Sequence, residues 1–193
     1  MDDIVEKLLA DLHREGTAFD AAQTERALTR RNLEPDGAGL LWSLAGIVGA
    51  RRVVEIGTSN GYSAIWLADA LRGTGGRLVS VDVVADPGAA ENLVRAGLRD
   101  LVELRHSDGG AYLTALADAS VDLLFLDAER VEYPRWWPHP VRVLRPGGLL
   151  VIDNVLSHPG EVAEFLELLA GETSVTGRTV PVGKGLHLAW RSH

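Results

Sequence analysis

The segment LLVIDNVLSH (149–158) runs four aliphatic residues into an acid and an amide, Asp153 and Asn154. Such an aliphatic run reads as a buried strand, and its tip delivers two hard oxygen donors. A second segment, VDLLFLD (121–127), also ends on an acid, Asp127. Neighbouring strands lie about 5 Å apart, so if these two are adjacent, Asp127, Asp153 and Asn154 converge. Three oxygen donors, with water completing the shell, suit Mg²⁺, or Ca²⁺ as a looser fit. Without a cation, two carboxylates so close repel, and one takes up a proton. Each residue also has an ordinary use, because Asp and Asn both cap turns.

A different chemistry is written in VVEIGTSNGYSA (53–64). Glu55 lies inside a strand, and Gly57 and Gly61 occupy the turn after it. Glycines there permit tight backbone geometry and close approach of a ligand, and the N–H groups opening the next helix face that ligand. The Gly-x3-Gly spacing differs from the GxGxxG of dinucleotide folds, and an acid in the strand suits a cationic ligand group better than a pyrophosphate. The next strand ends on Asp82, 25 positions after Gly57. An acid at that strand end is suited to two ribose hydroxyls; its ordinary alternative is to cap the helix near Pro87. A third strand runs into Ser107, Asp108 and Gly109, either a contact for an adenine edge or a generic turn.

The elements that must position these residues follow from periodicity. Residues 2–14 carry a helical stripe of Ile4, Val5, Leu8, Leu9 and Leu12. DAAQTERALTRRNL (20–33) reads as a second helix and PDGAGLLWSLAGIVGA (35–50) as a third, with Pro35 and Asp36 at its start. From residue 51, five strand-then-helix units succeed one another, which implies a parallel sheet covered on both faces. SVTGRTVPVG and GLHLAWRS then read as an antiparallel hairpin around Gly183-Lys184-Gly185. The fold expected is α/β and Rossmann-like, with a mostly parallel seven-stranded sheet. We expect one domain over 1–193, with a helical extension at 1–32 and the core at 33–193. In such sheets ligands bind at the carboxyl ends of the strands, which is where all of these candidates fall.

Composition removes several alternatives. The 193 residues suffice for one well-buried domain. There are no cysteines, which excludes disulfides, thiolate catalysis and Cys-ligated metals. A net charge of -8 argues against nucleic acid as the main partner. No apolar run is long enough to span a membrane, and the charged, amphipathic start lacks a signal-peptide core, so a cytoplasmic protein is expected. The only lysines are Lys7 and Lys184.

Together, VVEIGTSNGYSAIWLA, LVSVD, HSDGGAYL, LLFLDAERVEY, VLRPGGLLVIDNVLSH and VPVGKGLHLA resemble the cation-dependent class I S-adenosylmethionine (SAM) O-methyltransferases of the catechol and caffeoyl-CoA type, over about residues 33–191. The resemblance implies SAM at the first three strand tips. Glu55, Gly57, Ser59 and Ser63 would meet its methionine part, with Thr58 and Tyr62 in the same loop. Asp82 would lie by the ribose, with Val83 also among the cofactor-binding residues, and Asp108 and Gly109 by the adenine. Asp127, Asp153 and Asn154 match the metal ligands, with Asp127 also beside the cofactor. The metal, Mg²⁺ or another divalent cation, would bind a small hydroxylated acceptor and lower its hydroxyl pKa. A homodimer is also expected, with the first 32 residues covering the SAM site or joining the subunits.

Two departures stand out. Where the family usually has a lysine as proposed base, three residues after the first metal-binding Asp, this chain has Arg130. Arginine stays protonated at neutral pH, so it can stabilise an oxyanion but not accept its proton. The metal alone, His158 as base, or an acceptor that is already anionic would each resolve this. Arg130 also has an ordinary use, a surface ion pair with Glu129 or Glu132. The second departure is a short segment between Asn154 and the hairpin, which leaves the acceptor pocket undefined. Tyr133, Trp136 and Trp137 either clamp a flat acceptor or pack on the sheet. Methylation of an amine or carboxylate without catalytic metal, or SAM binding without catalysis, are the competing functions.

Overall fold

The computed structural model describes residues 1–24 and 29–192. Helices α1 (Asp3–Ala21) and α2 (Pro35–Ile47) precede an alternating series: β1 (Arg52–Ile56), α3 (Tyr62–Thr74), β2 (Arg77–Asp82), α4 (Pro87–Arg95), β3 (Val102–His106), α5 (Gly109–Ala115), β4 (Val121–Leu126). A 3-10 segment (Arg130–Trp136), α6 (His139–Arg142), β5 (Leu144–Ile152), α7 (Pro159–Gly171), β6 (Val175–Val180) and β7 (Leu186–Arg191) follow, and a short 3-10 turn (Arg99–Leu101) leads into β3. Local chemistry sets the boundaries. Asp2 Oδ1 accepts the Val5 N–H at 2.9 Å to open α1. Pro35 and Pro87 sit in the first turns of α2 and α4. Gly75, in the left-handed region, closes α3.

The seven strands form one sheet in the order β3-β2-β1-β4-β5-β7-β6. The first five are parallel, and β7 runs antiparallel to both β5 and β6. Strand alternation divides the buried residues into two cores. Val53, Phe125 and Val151 face the side covered by α1 to α4, with Leu9, Leu41, Leu67 and Leu93 among the packing residues. Val54, Leu124 and Ile152 face the side covered by α5 to α7, with Tyr133, Trp136 and Phe165. Strand order reverses between β1 and β4, so a crevice opens at their carboxyl ends.

The parallel sheet and the terminal hairpin match expectation. Two helices do not. The helix expected over 20–33 is not continuous: α1 runs on to Ala21, residues 25–28 lie outside the described residues, and 29–34 carry no regular structure. That stretch is held by Asp20, whose carboxylate accepts the Arg30 and Arg31 N–H groups at 2.7 and 2.9 Å; side-chain-to-backbone bonding of this kind competes with helix. In the fourth of the five expected strand-then-helix units, VDLLFLD followed by YPRWWPHPVRVL (133–144), the expected helix is instead the 3-10 segment followed by α6. Pro134, Pro138 and Pro140 each remove a backbone donor and prevent a continuous ladder.

Candidate active site

Register brings the strand tips together. Ile56, Leu126 and Ile152 are partners across β1, β4 and β5. The ladder continues one step, with Asp127 N–H donating to Ile56 O at 2.9 Å and Asp153 N–H to Leu126 O at 3.1 Å. Gly57, Asp127 and Asp153 therefore stand side by side. Gly57 has φ +111°, and a Cβ there would lie 2.1 Å from Asp127 O; only glycine lets the two turns touch.

A cavity of about 550 Å³ opens above these tips. Gly57, Thr58, Ser59, Tyr62, Ser63, Asp82, Val83, Asp108, Gly109, Asp127, Arg130, Asn154 and His158 all line it. Glu55 and Asp153 do not. Asp153 is buried just beneath, and Glu55 is 0% exposed behind the wall. Glu55 is linked to the cavity wall through hydroxyls: Ser80 Oγ donates to its Oε2 at 2.5 Å, and Ser80 Oγ lies 2.6 Å from Thr58 Oγ1.

Asp82 does not cap the helix at Pro87; Asp86 does, accepting from Gly88 N–H at 2.8 Å. Asp82 instead braces the glycine loop, with Oδ2 accepting from Thr58 and Ser59 N–H at 2.8 and 3.0 Å and Oδ1 from Val84 N–H at 2.9 Å. Asp108 caps α5 through Ala111 N–H at 2.7 Å while its residue lines the cavity. Beside it, Gly109 and Gly110 admit the Trp136 ring, which a Cβ at Gly110 would meet at 2.5 Å.

Asn154, in the left-handed region at φ +64°, closes the carboxylate pair. Its Nδ2 donates to Asp153 Oδ2 at 2.7 Å and to Asp127 Oδ1 at 3.3 Å. Asp153 Oδ1 is buried and has no hydrogen-bond partner among the described residues. Burial pushes both carboxyls above the usual carboxylate range; the Asp127 charge raises Asp153 further, while Arg31, Arg130 and Lys184 pull Asp127 back. Two crowded acids with an orphaned oxygen form a donor set that fits a hard divalent cation. Among the described residues no three His, Cys, Asp or Glu side chains gather as a metal group; Asn154 is an amide, and it turns Nδ2 rather than Oδ1 to the two acids.

Arg130 is 3% exposed, and its partner is neither Glu129 nor Glu132. Its Nε donates to Glu161 Oε2 at 2.9 Å, with Nη2 2.7 Å from the same oxygen. Glu129 pairs with Arg31 at 3.0 Å and Glu132 with Arg135 at 3.1 Å. Tyr133 and Trp136 are core residues, and Trp136 also contributes to the cavity wall. The Tyr133 hydroxyl accepts from Ala128 N–H at 2.8 Å and so steadies the turn after Asp127. The sequence suggested that the first 32 residues cover this site or join the subunits but singled out no residue there; the 29–33 stretch, including Arg31, lines the cavity, and so does Lys184, which the sequence did not mark as cavity wall. Both come from loops whose placement depends on distant partners, so no local pattern signals them.

A sheet ordered 3-2-1-4-5-7-6, with a glycine loop after its central strand and an acid ending the next one, defines the class I SAM-dependent methyltransferase architecture. The chain belongs to the O-methyltransferase family, whose family profile matches residues 6–191. It is 40% identical over 156 residues to a catechol O-methyltransferase of Mycobacterium tuberculosis, spanning 76% of this chain and 66% of that one. Among solved structures it resembles the O-methyltransferase TomG of Streptomyces achromogenes, involved in tomaymycin synthesis and bound to SAM, at 31% identity and TM-score 0.79, covering 100% of this chain and 91% of that one. An O-methyltransferase of Bacillus cereus in complex with SAH superposes at TM-score 0.78 with 27% identity, covering 100% and 92%. The protein is a SAM-dependent O-methyltransferase. Among the described residues no helix is long and apolar enough to cross a membrane.

Proposed function

We propose that the protein methylates a hydroxyl of a small catechol-like acceptor with the help of a divalent cation, Mg²⁺ foremost, held by Asp127, Asp153 and Asn154. The observation that carries this reading is the orphaned, buried Asp153 Oδ1 beside Asp127, under the cavity that the glycine loop also lines. SAM would supply a sulfonium methyl group, and the cation would acidify the acceptor hydroxyl.

The chain's own residues do the rest. The Thr58–Ser63 loop, braced by Asp82, orients the donor, and the touching Gly57 and Asp127 turns bring donor and acceptor together, which removes the entropy cost of their encounter. Arg130, held by Glu161, keeps a fixed positive charge at the wall and stabilises a developing oxyanion. It takes no proton. We assign that role to His158, which lines the cavity and opens α7, its Nδ1 2.9 Å from Ser157 Oγ. The proton would go to an imidazole nitrogen and leave with solvent. Arg130 in place of lysine also favours a second reading, an acceptor that enters as a carboxylate and needs no base. We further expect a homodimer acting in the cytoplasm; sedimentation at high concentration showing a monomer would remove the dimer.

The test is SAM turnover with a panel of vicinal diols and their mono-hydroxyl and carboxylate analogues, in Mg²⁺ and in EDTA, for the wild type and Asp153→Ala. Transfer confined to vicinal diols, and lost in EDTA and in the variant, is the expected result. Undiminished transfer in EDTA and in Asp153→Ala overturns metal assistance and leaves a metal-free O-methyltransferase.

A further inference from the structure

We propose that Glu55 stands as a neutral carboxylic acid behind the cofactor wall and gives up its proton when the positively charged methyl donor binds. Donor binding is then coupled to proton release, and Glu55 favours the charged donor over its demethylated product. The proposal rests on SAM binding alone and is independent of the metal and the acceptor.

Glu55 sits in the middle of the sheet, paired with Ser80 of β2 on one side and Phe125 of β4 on the other. Its side chain shares a face with Val53, Phe125 and Val151, which belong to an apolar core. An ionised carboxylate in such surroundings is strongly disfavoured unless paired. The groups facing it do not pair it. Ser80 from β2 donates to Oε2, and Ser63 from α3 also faces the carboxyl. Oε1 has no hydrogen-bond partner among the described residues. The charged groups that act on it most, among the described residues, are Asp127 at the tip of β4 and Asp82 at the tip of β2, and both are acids. Burial first, and these two charges in addition, push its pKa up to about 8.

The arrangement destabilises the strand it occupies, yet it connects to the cavity. Thr58 and Ser63 both line the cavity and both approach the Glu55 carboxyl, Ser63 directly and Thr58 through the Ser80 hydroxyl. A cation arriving at that wall favours the carboxylate. The balance is simple: the carboxylic acid and the cationic donor become a carboxylate beside the bound donor, and one proton goes to solvent. S-Adenosylhomocysteine lacks the sulfonium charge, so it drives the same ionisation less.

Calorimetric titration of the full chain with SAM and with S-adenosylhomocysteine tests this. Each titration is run near pH 7 in two buffers of different ionisation heat, which counts protons. We expect the wild type to release roughly 0.5–0.9 proton more than Glu55→Gln on binding SAM, and less than that on binding the product. The wild-type preference for SAM over product should rise as pH increases from about 6 to about 8, and stay flat in Glu55→Gln. Equal proton counts in the two proteins, or equal counts for the two ligands, overturn the proposal. Should the variant fail to fold, difference infrared spectroscopy on the wild type decides: a protonated-carboxyl band must vanish when SAM is added, and its persistence overturns the proposal. A titration showing no SAM binding at all would remove the cofactor reading itself.

Discussion

Asp153 is costly where it stands, since burial and the neighbouring Asp127 charge raise its pKa and Oδ1 has no partner among the described residues. A cation bound there would relieve both penalties. Mg²⁺ at ten times its dissociation constant should therefore stabilise the wild type by about 1.4 kcal/mol, and Asp153→Asn should lose that increment. Thermal melts with and without Mg²⁺ read this directly, whatever the enzyme's activity. Arg130 poses the opposite case, a buried cation whose acid partner, Glu161, is on α7. Glu161→Ala should cost about 2 kcal/mol, because it strands a guanidinium whose residue is 3% exposed. Urea denaturation of Glu161→Ala against the double variant Arg130→Leu/Glu161→Leu, which strands no charge, should show the double variant recovering much of the loss.

At the scale of elements, the site is made by turns that glycine keeps small. Gly57→Ala would force a Cβ to 2.1 Å from Asp127 O at a φ of +111°. The expected cost is about 3 kcal/mol or more, together with loss of SAM binding, measured by denaturation and by titration calorimetry. Gly39, inside α2, has nothing among the described residues within 4 Å of its would-be Cβ. Gly39→Ala should stabilise by up to about 1 kcal/mol and leave SAM affinity unchanged. The contrast was only partly legible beforehand. The sequence showed Gly57 after a strand and therefore in a ligand turn, but not that its backbone lies against Asp127, because that contact belongs to the pairing of β1 with β4.

For the molecule as a whole, the cavity is closed by chain remote from the sheet. The 29–33 stretch lies across the strand tips, with Ser59 Oγ donating to Arg30 O at 3.1 Å and Arg31 paired with Glu129 at 3.0 Å. The Arg31–Glu129 pair is exposed, so it contributes little to global stability. Glu129→Gln should change the unfolding free energy by less than about 0.5 kcal/mol. It should nevertheless speed SAM dissociation several-fold if the pair holds the stretch over the cavity, which stopped-flow displacement would measure.

The sequence by itself determined the sheet, the strand tips and the residues on them. Aliphatic runs alternating with helical stripes leave few ways to bury both, and a parallel sheet puts the ends of its strands on one edge. Glu55, Asp82, Asp127 and the Asp153-Asn154 pair were therefore legible as candidates from type and position. Tertiary structure alone decided what each one touches. Asp82 braces a backbone loop, Glu55 lies behind the wall, and Arg130 takes Glu161 as its partner from 31 positions away. Loops answer to long-range contacts and the asparagine and arginine side chains to whichever charge packs nearest, and neither is encoded in a local period. The same reason hid Arg31 and Lys184, which reach the cavity only because the 29–33 stretch and the terminal hairpin fold back over the point where strand order reverses.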